Sequence, residues 1–313
     1  MRFAFTKCHG SGNDFPLIDA RAIALRDAEW ASVARALADR AGPVGGDGIL
    51  LLTNGAGDAD FGMRMFNSDG SEAETCLNGL RCTARAGFEA LGLETARVRL
   101  KVSCADVAHV ADIAPGVYGV ETRAGPASTD PQAVGVRVAA SAIDAVIPGL
   151  PSARAFTAVA MPNPHLVTFV ERVDEAELVR LGEWCEARPD LLVDRANVSF
   201  VELRGTDLFV RTHERGVGLT DACGSAMAAS TFAAGLTGRV PFGTWTTVFN
   251  PGGRVRARAE APTDGGMVTI QGNATFEWDG EIKVDLASGM ASGLVVTRRR
   301  EHEVAAWARV VAG

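Results

Sequence analysis

Apolar side chains recur every three to four residues in four segments of the chain, and this period predicts α-helices. The helices are expected at Asp27–Asp39, at Asn78–Leu91, near Glu175–Glu186 and over roughly Gly224–Ala234. Gly92 follows the second segment and is a residue that commonly ends a helix. The second and fourth helices each occupy the middle of one half of the chain, so each half is expected to have one central helix.

Short alternating or continuous apolar runs between these segments predict β-strands. The strands are expected at Arg2–Thr6, Leu17–Asp19, 49–53, Phe61–Phe66, 98–102, 107–113, 117–121, 134–140, 156–161, 165–170, 197–203, 207–214, 267–272 and 281–286. The stretch KCHGSGNDF between the first two strands is expected to be a loop. Two halves with many strands around one helix predict an α+β fold of two pseudo-symmetric lobes.

The stretch GPASTDPQ at 125–132 is the candidate boundary between the halves, because it is rich in Pro, Gly and Ser. With 313 residues, the chain is long enough for two lobes with substantial cores. Hydrophobic residues make up 47% and charged residues 22%, as is typical of a soluble globular protein. The net charge of −7 argues against nucleic acid or an anionic membrane as a partner. No signal peptide or membrane span is recognisable, so we expect a cytoplasmic location.

Two cysteines stand in similar contexts. Residues 214–230 read ERGVGLTDACGSAMAAS, and residues 67–85 read NSDGSEAETCLNGLRCTAR. In each, a polar loop with glycine leads to a cysteine, Cys223 or Cys76, just before a predicted helix. The remaining four cysteines, Cys8, Cys82, Cys104 and Cys185, are expected to be small buried side chains. The six cysteines form no CxxC pair and no zinc-ligand spacing, so neither thioredoxin chemistry nor a structural metal is expected.

A helix N-terminus carries unpaired N–H groups and a partial positive charge. It therefore favours the thiolate form of a nearby cysteine and binds carboxylates. Two such termini facing one cavity would hold a carboxylate between two thiols. One thiolate could then remove an α-proton while the opposite thiol returns a proton to the other face, which inverts the stereocentre without a metal or an organic cofactor.

Seven motifs resemble those of the diaminopimelate epimerase family, in order and with compatible spacing. They are HGSGNDF (9–15), GGDGILLL (45–52), FNSDGSEAETCLNGLRC (66–82), PNPH (162–165), RANVSF (195–200), ERGVG (214–218) and ACGSA (222–226). The resemblance covers about residues 1–286. It implies a cofactor-independent isomerase that converts LL- to meso-2,6-diaminopimelate, a precursor of lysine and peptidoglycan, with two cysteines as acid and base and each lobe's sheet wrapped around its helix.

The same resemblance implies roles for individual residues. Cys76 and Cys223 would be the two acid–base thiols. The backbone N–H groups of Leu77, Asn78, Gly224 and Ser225 would hold the reacting carboxylate. The remaining substrate contacts would come from Asn13, Asn67, Asn163, Asn197, Glu214 and Arg215. Glu214 and His165 would also help to set the protonation of the thiols, whereas we interpret His9, Asp14 and His213 as structural.

The resemblance further implies lobes at 1–122 plus 273–286 and at 123–272, and a homodimer. Residues 287–313 extend beyond the usual end of the family. TRRREHEVAAWARVV could form a short amphipathic helix there, although a solvated or loosely docked tail is the favoured expectation.

The chain departs from the family pattern at several positions near the cysteines. Leu77 replaces a glycine, Leu219-Thr220 replaces a glutamate–threonine pair, and Asp221 stands at an apolar position. These changes keep open a related racemase for another amino acid. A non-catalytic amino-acid-binding protein and a thiol–disulfide oxidoreductase are the alternatives from other classes.

Overall fold

The computed structural model describes residues 1–312, which form two compact units. The first unit comprises Met1–Thr122 together with the described residues from Gln271 onward, and the second comprises Arg123–Ile270. None of the helices in the described part of the chain is long and apolar enough to cross a membrane.

The first unit is a mixed sheet around one central helix, with two further helices. Its elements are β1 (Arg2–Gly10), β2 (Asn13–Asp19), α1 (Asp27–Ala38), β3 (Gly48–Asn54), β4 (Phe61–Asn67), β5 (Glu72–Ala73), α2 (Leu77–Leu91), β6 (Thr95–Arg99), β7 (Cys104–Ala114), β8 (Val117–Ala124), β17 (Val268–Asn273), β18 (Thr275–Asp285), β19 (Met290–Arg299) and α6 (Glu301–Ala312). The strands β8 and β17 carry the chain out of the unit and back into it. From β19 the hydrogen-bonded order runs through β18, β1, β2, β3, β4, β6 and β7 to β8.

Helix α2 is the central helix of this unit and packs against strands β1 to β4, β6 and β7. It ends where the sequence predicts, because Gly92 adopts a left-handed conformation with φ 69° and donates its N–H to Phe88 O at 2.8 Å. Gly87 lets the helix lie close to the sheet, since an added Cβ would lie 2.4 Å from the ring of Phe61. Helix α2 therefore packs directly on β4 at this point.

The second unit repeats the plan with a different set of elements. They are α3 (Pro131–Val134), β9 (Ala145–Val146), β10 (Ala155–Ala160), β11 (Pro164–Val170), α4 (Glu175–Glu186), β12 (Asn197–Arg204), β13 (Asp207–Glu214), β14 (Gly218–Thr220), α5 (Gly224–Leu236), β15 (Thr246–Asn250) and β16 (Gly253–Ala259). Strands β9 to β13 pair in chain order, β13 also pairs with β14 and β15, and β16 follows β15.

Helix α5 is the central helix of the second unit and packs against β10 to β13, β15 and β16. Ten of its residues, from Gly224 to Ala234, are buried. Helix α4 also packs against β12 and β13. Its residues Leu178, Leu181 and Cys185 belong to a buried apolar cluster of the second unit. The four predicted helices are thus confirmed, and the mixed α and β composition agrees with the predicted fold class.

The strand expected at 98–102 lies instead at Thr95–Arg99, and two further sequence-based expectations about local structure are wrong. KCHGSGNDF is not a loop but the end of β1, a tight turn and the start of β2. Ser11 and Gly12 both have positive φ, 55° and 85°, which is the backbone of a two-residue hairpin turn. Residues 134–140 do not form a strand either, because helix α3 ends there at Gly135 and only the single bridge Val136–Leu192 follows.

The expectation of a solvated tail after residue 286 is also wrong, because this segment forms β19 and α6. Strand β19 pairs antiparallel with β18, and α6 packs against β18. Ala306 and Trp307 are buried against Val117, so the helix has the amphipathic character that its sequence allows. The terminal segment is therefore an integral part of the first unit.

Candidate functional site

Cys76 is the residue that caps the N-terminus of α2. Its backbone is extended, with φ −150° and ψ 103°, and its Sγ accepts a hydrogen bond from the Gly79 N–H at 3.3 Å. The side chain is half-buried. The sulfur thus lies at the positive end of a helix, where a negative charge is stabilised by the N–H groups and the helix dipole.

Polar side chains from two elements surround the Cys76 sulfur. Asn13, the first residue of β2, places Oδ1 3.7 Å from Sγ and 3.4 Å from Nδ2 of Asn78. Asn78 in turn accepts a hydrogen bond from Arg81 Nη2 at 3.0 Å. Asn13 also donates to the carboxylate of Asp47. The structure therefore brings the predicted residues Asn13 and Asn78 to Cys76 and adds Arg81, which sequence reasoning did not select.

Leu77 and Asn67 occupy different settings beside this cysteine. Leu77 is the first helical residue and is buried. Its φ is not positive, so the backbone at this position does not require the glycine that is usual in the family. Asn67 ends β4, and its Nδ2 donates to Ser71 Oγ at 2.9 Å within a tight turn. The predicted substrate contact of Asn67 stays a prediction.

Cys223 caps the N-terminus of α5 in the second unit. It is buried, with 8% of its surface exposed, and its Sγ lies 3.5 Å from Ser225 Oγ. Burial raises the pKa of the Cys223 thiol well above its usual range, and the negative charge of Glu214 acts in the same direction. Hydrogen bonds from Ser225 and the Ala226 N–H oppose this rise. Cys223 is therefore a thiol at neutral pH.

Glu214 lies at the end of β13 and interacts with Cys223. Its Oε1 accepts a hydrogen bond from Thr220 Oγ1 at 2.5 Å. Asp221, which departs from the family pattern, lies at the surface. Its side chain is 73% exposed and lies 3.3 Å from Arg211. Asp221 is therefore a surface ion-pair residue, whereas Thr220 orients a carboxylate beside the thiol.

A chain of side-chain contacts connects Cys223 to Arg215. Asn163 Nδ2 donates to Ser225 Oγ at 3.3 Å, and Asn163 Oδ1 lies 3.2 Å from His165 Nε2. His165 Nε2 also lies 3.5 Å from Nδ2 of Asn197, whose Oδ1 accepts from the Arg215 N–H at 2.9 Å. The second unit thus brings together Asn163, His165, Asn197, Arg215 and Ser225, all of which the sequence singled out.

His165 sits in the middle of this chain and carries no charge at neutral pH. Burial lowers its pKa to about 3, and the positive charge of Arg215 acts in the same direction. A neutral imidazole can donate to Asn163 in one tautomer and accept from Asn197 in the other. In either tautomer Nε2 makes one of these two hydrogen bonds, and the predicted influence of His165 on thiol protonation stays a prediction.

The remaining cysteines differ in exposure. Cys8, Cys82 and Cys185 are buried as predicted, and burial raises the pKa of Cys8 and takes that of Cys185 to about 12. Cys104 is exposed, so the expectation of a buried thiol is wrong there. It opens β7, where the hairpin with β6 turns at the surface. Within residues 1–312, no group of three or more His, Cys, Asp or Glu side chains could hold a metal ion.

The comparisons with known proteins agree on one family. The family model described as diaminopimelate epimerase matches residues 5–111 and 157–277. The diaminopimelate epimerase of Listeria monocytogenes is 37% identical over 297 residues, covering 90% of this chain and 88% of the relative. That of Clostridium acetobutylicum is 37% identical over 284 residues, covering 89% and 85%.

A solved structure shows the same fold at low sequence identity. The crystal structure of a hydroxyproline epimerase from Agrobacterium vitis superposes with a TM-score of 0.62 at 14% identity, covering 91% of this chain and 92% of that one. At this identity the likeness concerns the fold alone. The matching family model and the relatives at 37% identity carry the assignment. This chain belongs to the diaminopimelate epimerase family.

Proposed function

We propose that this isomerase interconverts LL- and meso-2,6-diaminopimelate by moving one α-proton between two thiols. The observation that carries the proposal is that each unit places one cysteine, Cys76 or Cys223, as the cap of its central helix. Family membership supports the substrate, since the relatives from Listeria and Clostridium bear the name diaminopimelate epimerase.

The proton transfers balance without a redox partner. The thiolate of Cys76 takes the α-proton, so that a C–H bond breaks and an S–H bond forms. The electron pair left on the α-carbon spreads into the adjacent carboxylate. The thiol of Cys223 then gives its proton to the opposite face, which forms the new C–H bond and leaves a thiolate. The reverse direction uses the same groups with their protonation exchanged.

The reacting carboxylate needs hydrogen-bond donors as it gains enediolate character. We assign this role to the N–H groups that open α2 and α5, at Leu77, Asn78, Gly224 and Ser225. Helix N-termini suit this task, because their first N–H groups have no partner within the helix.

The distal amino-acid group of the substrate would be bound by charge and by amides. Arg215 offers a guanidinium to the distal carboxylate, and Glu214 offers an acceptor to the distal ammonium. Asn13, Asn67, Asn163 and Asn197 would supply the directional contacts. The contacts of Asn163 with Ser225 and of Asn197 with the Arg215 N–H support this assignment, because they orient both amides.

The departure at Leu77 favours one alternative, a racemase for a different amino acid. Leu77 retains its N–H but adds a side chain next to the reacting cysteine. A homodimer and a cytoplasmic location are additional expectations of the proposal.

Proton NMR in D₂O tests the function. Reduced protein is incubated with LL-diaminopimelate and, separately, with other L-amino acids, beside the variants Cys76→Ala, Cys223→Ala and Cys104→Ala. The expected result is α-deuterium and the meso isomer with diaminopimelate, lost in the first two variants and kept in the exposed-cysteine control. Exchange with another amino acid alone would identify the racemase, and no exchange with any would refute the two-thiol mechanism for the substrates tested.

A further inference from the structure

The C-terminal helix α6 is anchored to the first unit by a buried ion pair and by apolar packing. The carboxylate of Glu303, 8% exposed, accepts hydrogen bonds from Arg85 of α2 at 2.5 Å and 2.9 Å and from the Phe276 N–H at 3.1 Å. Further along the helix, Ala306 and Trp307 are buried in an apolar cluster. The ion pair and the cluster together define where Trp307 lies on the unit.

The indole ring of Trp307 lies against the imidazole ring of His9, near the end of β1. The ring centroids are 5.4 Å apart and the ring planes are tilted by 55°. Both residues are buried, with 7% of Trp307 and 6% of His9 exposed. A contact between two such rings depends on their relative orientation as well as on burial. It joins the last helix of the described chain to its first strand.

His9 is hydrogen-bonded to the turn between β1 and β2. Its Nδ1 lies 3.3 Å from the Gly12 backbone nitrogen and 3.2 Å from Nδ2 of Asn273. Asn273 presents Nδ2 to His9 because its Oδ1 accepts the Ser11 N–H at 2.7 Å. Both partners of Nδ1 are donors, so Nδ1 accepts and the neutral ring carries its proton on Nε2. The ring is neutral at pH 7, since burial lowers the pKa of His9 to about 4.

The same turn places Asn13 beside Cys76. Asn13 pairs with Gly10 across the hairpin, and its Oδ1 lies 3.7 Å from Cys76 Sγ. The hairpin also packs directly on the first turn of α2, because a Cβ added to Gly10 would lie 2.7 Å from Asn78 O. A displacement of the His9 ring or of the turn would therefore move the Asn13 amide relative to the sulfur.

We propose that Trp307 is a positioning residue for the reaction, which holds the His9 ring and, through it, the turn that carries Asn13 to Cys76. The C-terminal segment, which lies beyond the part of the chain that resembles the family, thereby supports the candidate site. The effect on turnover rests on the proposed function, but the effect on the hairpin does not.

The first test measures hydrogen exchange of the backbone amides in residues 9–14 by mass spectrometry, in protein without substrate. The Ser11 and Gly12 amides report the turn directly, because each donates to a side chain. Trp307→Leu retains an apolar side chain but removes the ring, and it is expected to accelerate this exchange about tenfold. Trp307→Phe retains a ring and is expected to exchange within about twofold of the wild-type rate.

A matched control separates the ring contact from packing of α6 in general. Val310 also belongs to α6 and packs, partly buried, against the same cluster. Val310→Ala weakens this packing without changing the ring, and it is expected to leave the exchange of the hairpin unchanged. Equal acceleration in Val310→Ala, equal rates in Trp307→Leu and Trp307→Phe, or wild-type exchange in folded Trp307→Leu would overturn the proposal. Trp307→Met, with a flexible apolar side chain, serves in the same way if Trp307→Leu does not fold.

The second test measures epimerisation of LL-diaminopimelate by the same variants. A displaced Asn13 weakens a substrate contact, so Trp307→Leu is expected to raise KM about fivefold and to keep kcat within about twofold of wild type. A purely structural role would lower the fraction of active enzyme, and hence kcat, at unchanged KM, which would contradict the positioning role. If hairpin exchange responds as expected but wild type does not convert diaminopimelate, the inference about the hairpin stands and the proposed function fails.

Discussion

The two cysteine caps share one local design and have opposite electrostatic surroundings. Cys76 is half-buried at the start of α2, and the cation of the buried Arg81 interacts with it. Cys223 is buried at the start of α5, and the nearest acidic group is Glu214. A helix N-terminus alone would treat both sulfurs alike. The difference predicts that the surrounding side chains, in addition to the cap, decide which thiol holds a proton at rest.

The largest expected effect comes from removing either thiol. Cys76→Ser and Cys223→Ser should each reduce epimerisation by more than about 10³-fold, since a hydroxyl is a far weaker base at neutral pH. The measurement is conversion of LL- to meso-diaminopimelate followed by chiral chromatography. If only one of the two variants loses activity, the two caps do not act as a pair.

A second prediction concerns Arg85 on α2, whose charge is balanced by the buried carboxylate of Glu303. Glu303→Gln removes the buried carboxylate partner of Arg85 and leaves only the exposed Glu89, and we expect a loss of about 3 kcal/mol in the free energy of unfolding. Urea denaturation of wild type and variant measures it. A change below about 0.5 kcal/mol would mean that this ion pair, and therefore α6, contributes little to the first unit.

The pH dependence of stability tests the neutral histidine beside the second cap. The folded-state pKa of His165 is lowered to about 3, so unfolding takes up a proton once the pH falls below the ordinary value near 6.5. The contribution is fully present above about pH 6.5 and is lost toward pH 3, at about 1.4 kcal/mol per pH unit. By pH 5 the loss is about 2 kcal/mol.

The matched variant for this prediction is His165→Gln, which cannot take up that proton. Its unfolding free energy should fall less steeply between pH 6.5 and pH 5 than that of wild type, as measured by urea titration at each pH. Parallel curves would show that His165 is not held neutral by the fold.

The smallest expected effect is at Glu214. Glu214→Gln removes the negative charge beside Cys223, so the pKa of this thiol should fall, and the pH midpoint of its alkylation with it. The shift should remain below about one unit, because burial is the larger cause of the raised pKa. An upward shift would show that Glu214 does not repel the thiolate.

The sequence was a good guide where local rules decide the structure. Helices α1 and α4 lie within one residue of their predicted bounds, and both central helices begin directly after their cysteines. The pattern of apolar residues and the Gly92 terminator were sufficient for this. Asn163, His165 and Asn197 were identified only by the family resemblance, because nothing in their local sequence predicts that they meet.

Long-range contacts account for what the sequence did not reveal. The tail forms β19 and α6 through contacts with distant residues, since β19 pairs with β18 and Glu303 of α6 binds Arg85, which lies 218 positions earlier in the chain. Arg81 was overlooked within LNGLRC, although a charged residue inside an apolar helix is a signal of its own. Its partners Ser11 and Asn273 come from distant parts of the sequence, so its hydrogen bonds become evident only in the folded unit.

The central claim is that the two caps hold opposite protonation states, and ultraviolet titration of single thiols tests it most directly. Thiolate absorbance at 240 nm is followed against pH in Cys76→Ala and in Cys223→Ala, with the difference from wild type reporting the missing sulfur. We predict that Cys76 ionises at a lower pH than Cys223, whose thiol pKa is raised well above its usual range by burial. Equal midpoints, or the reverse order, would contradict the account.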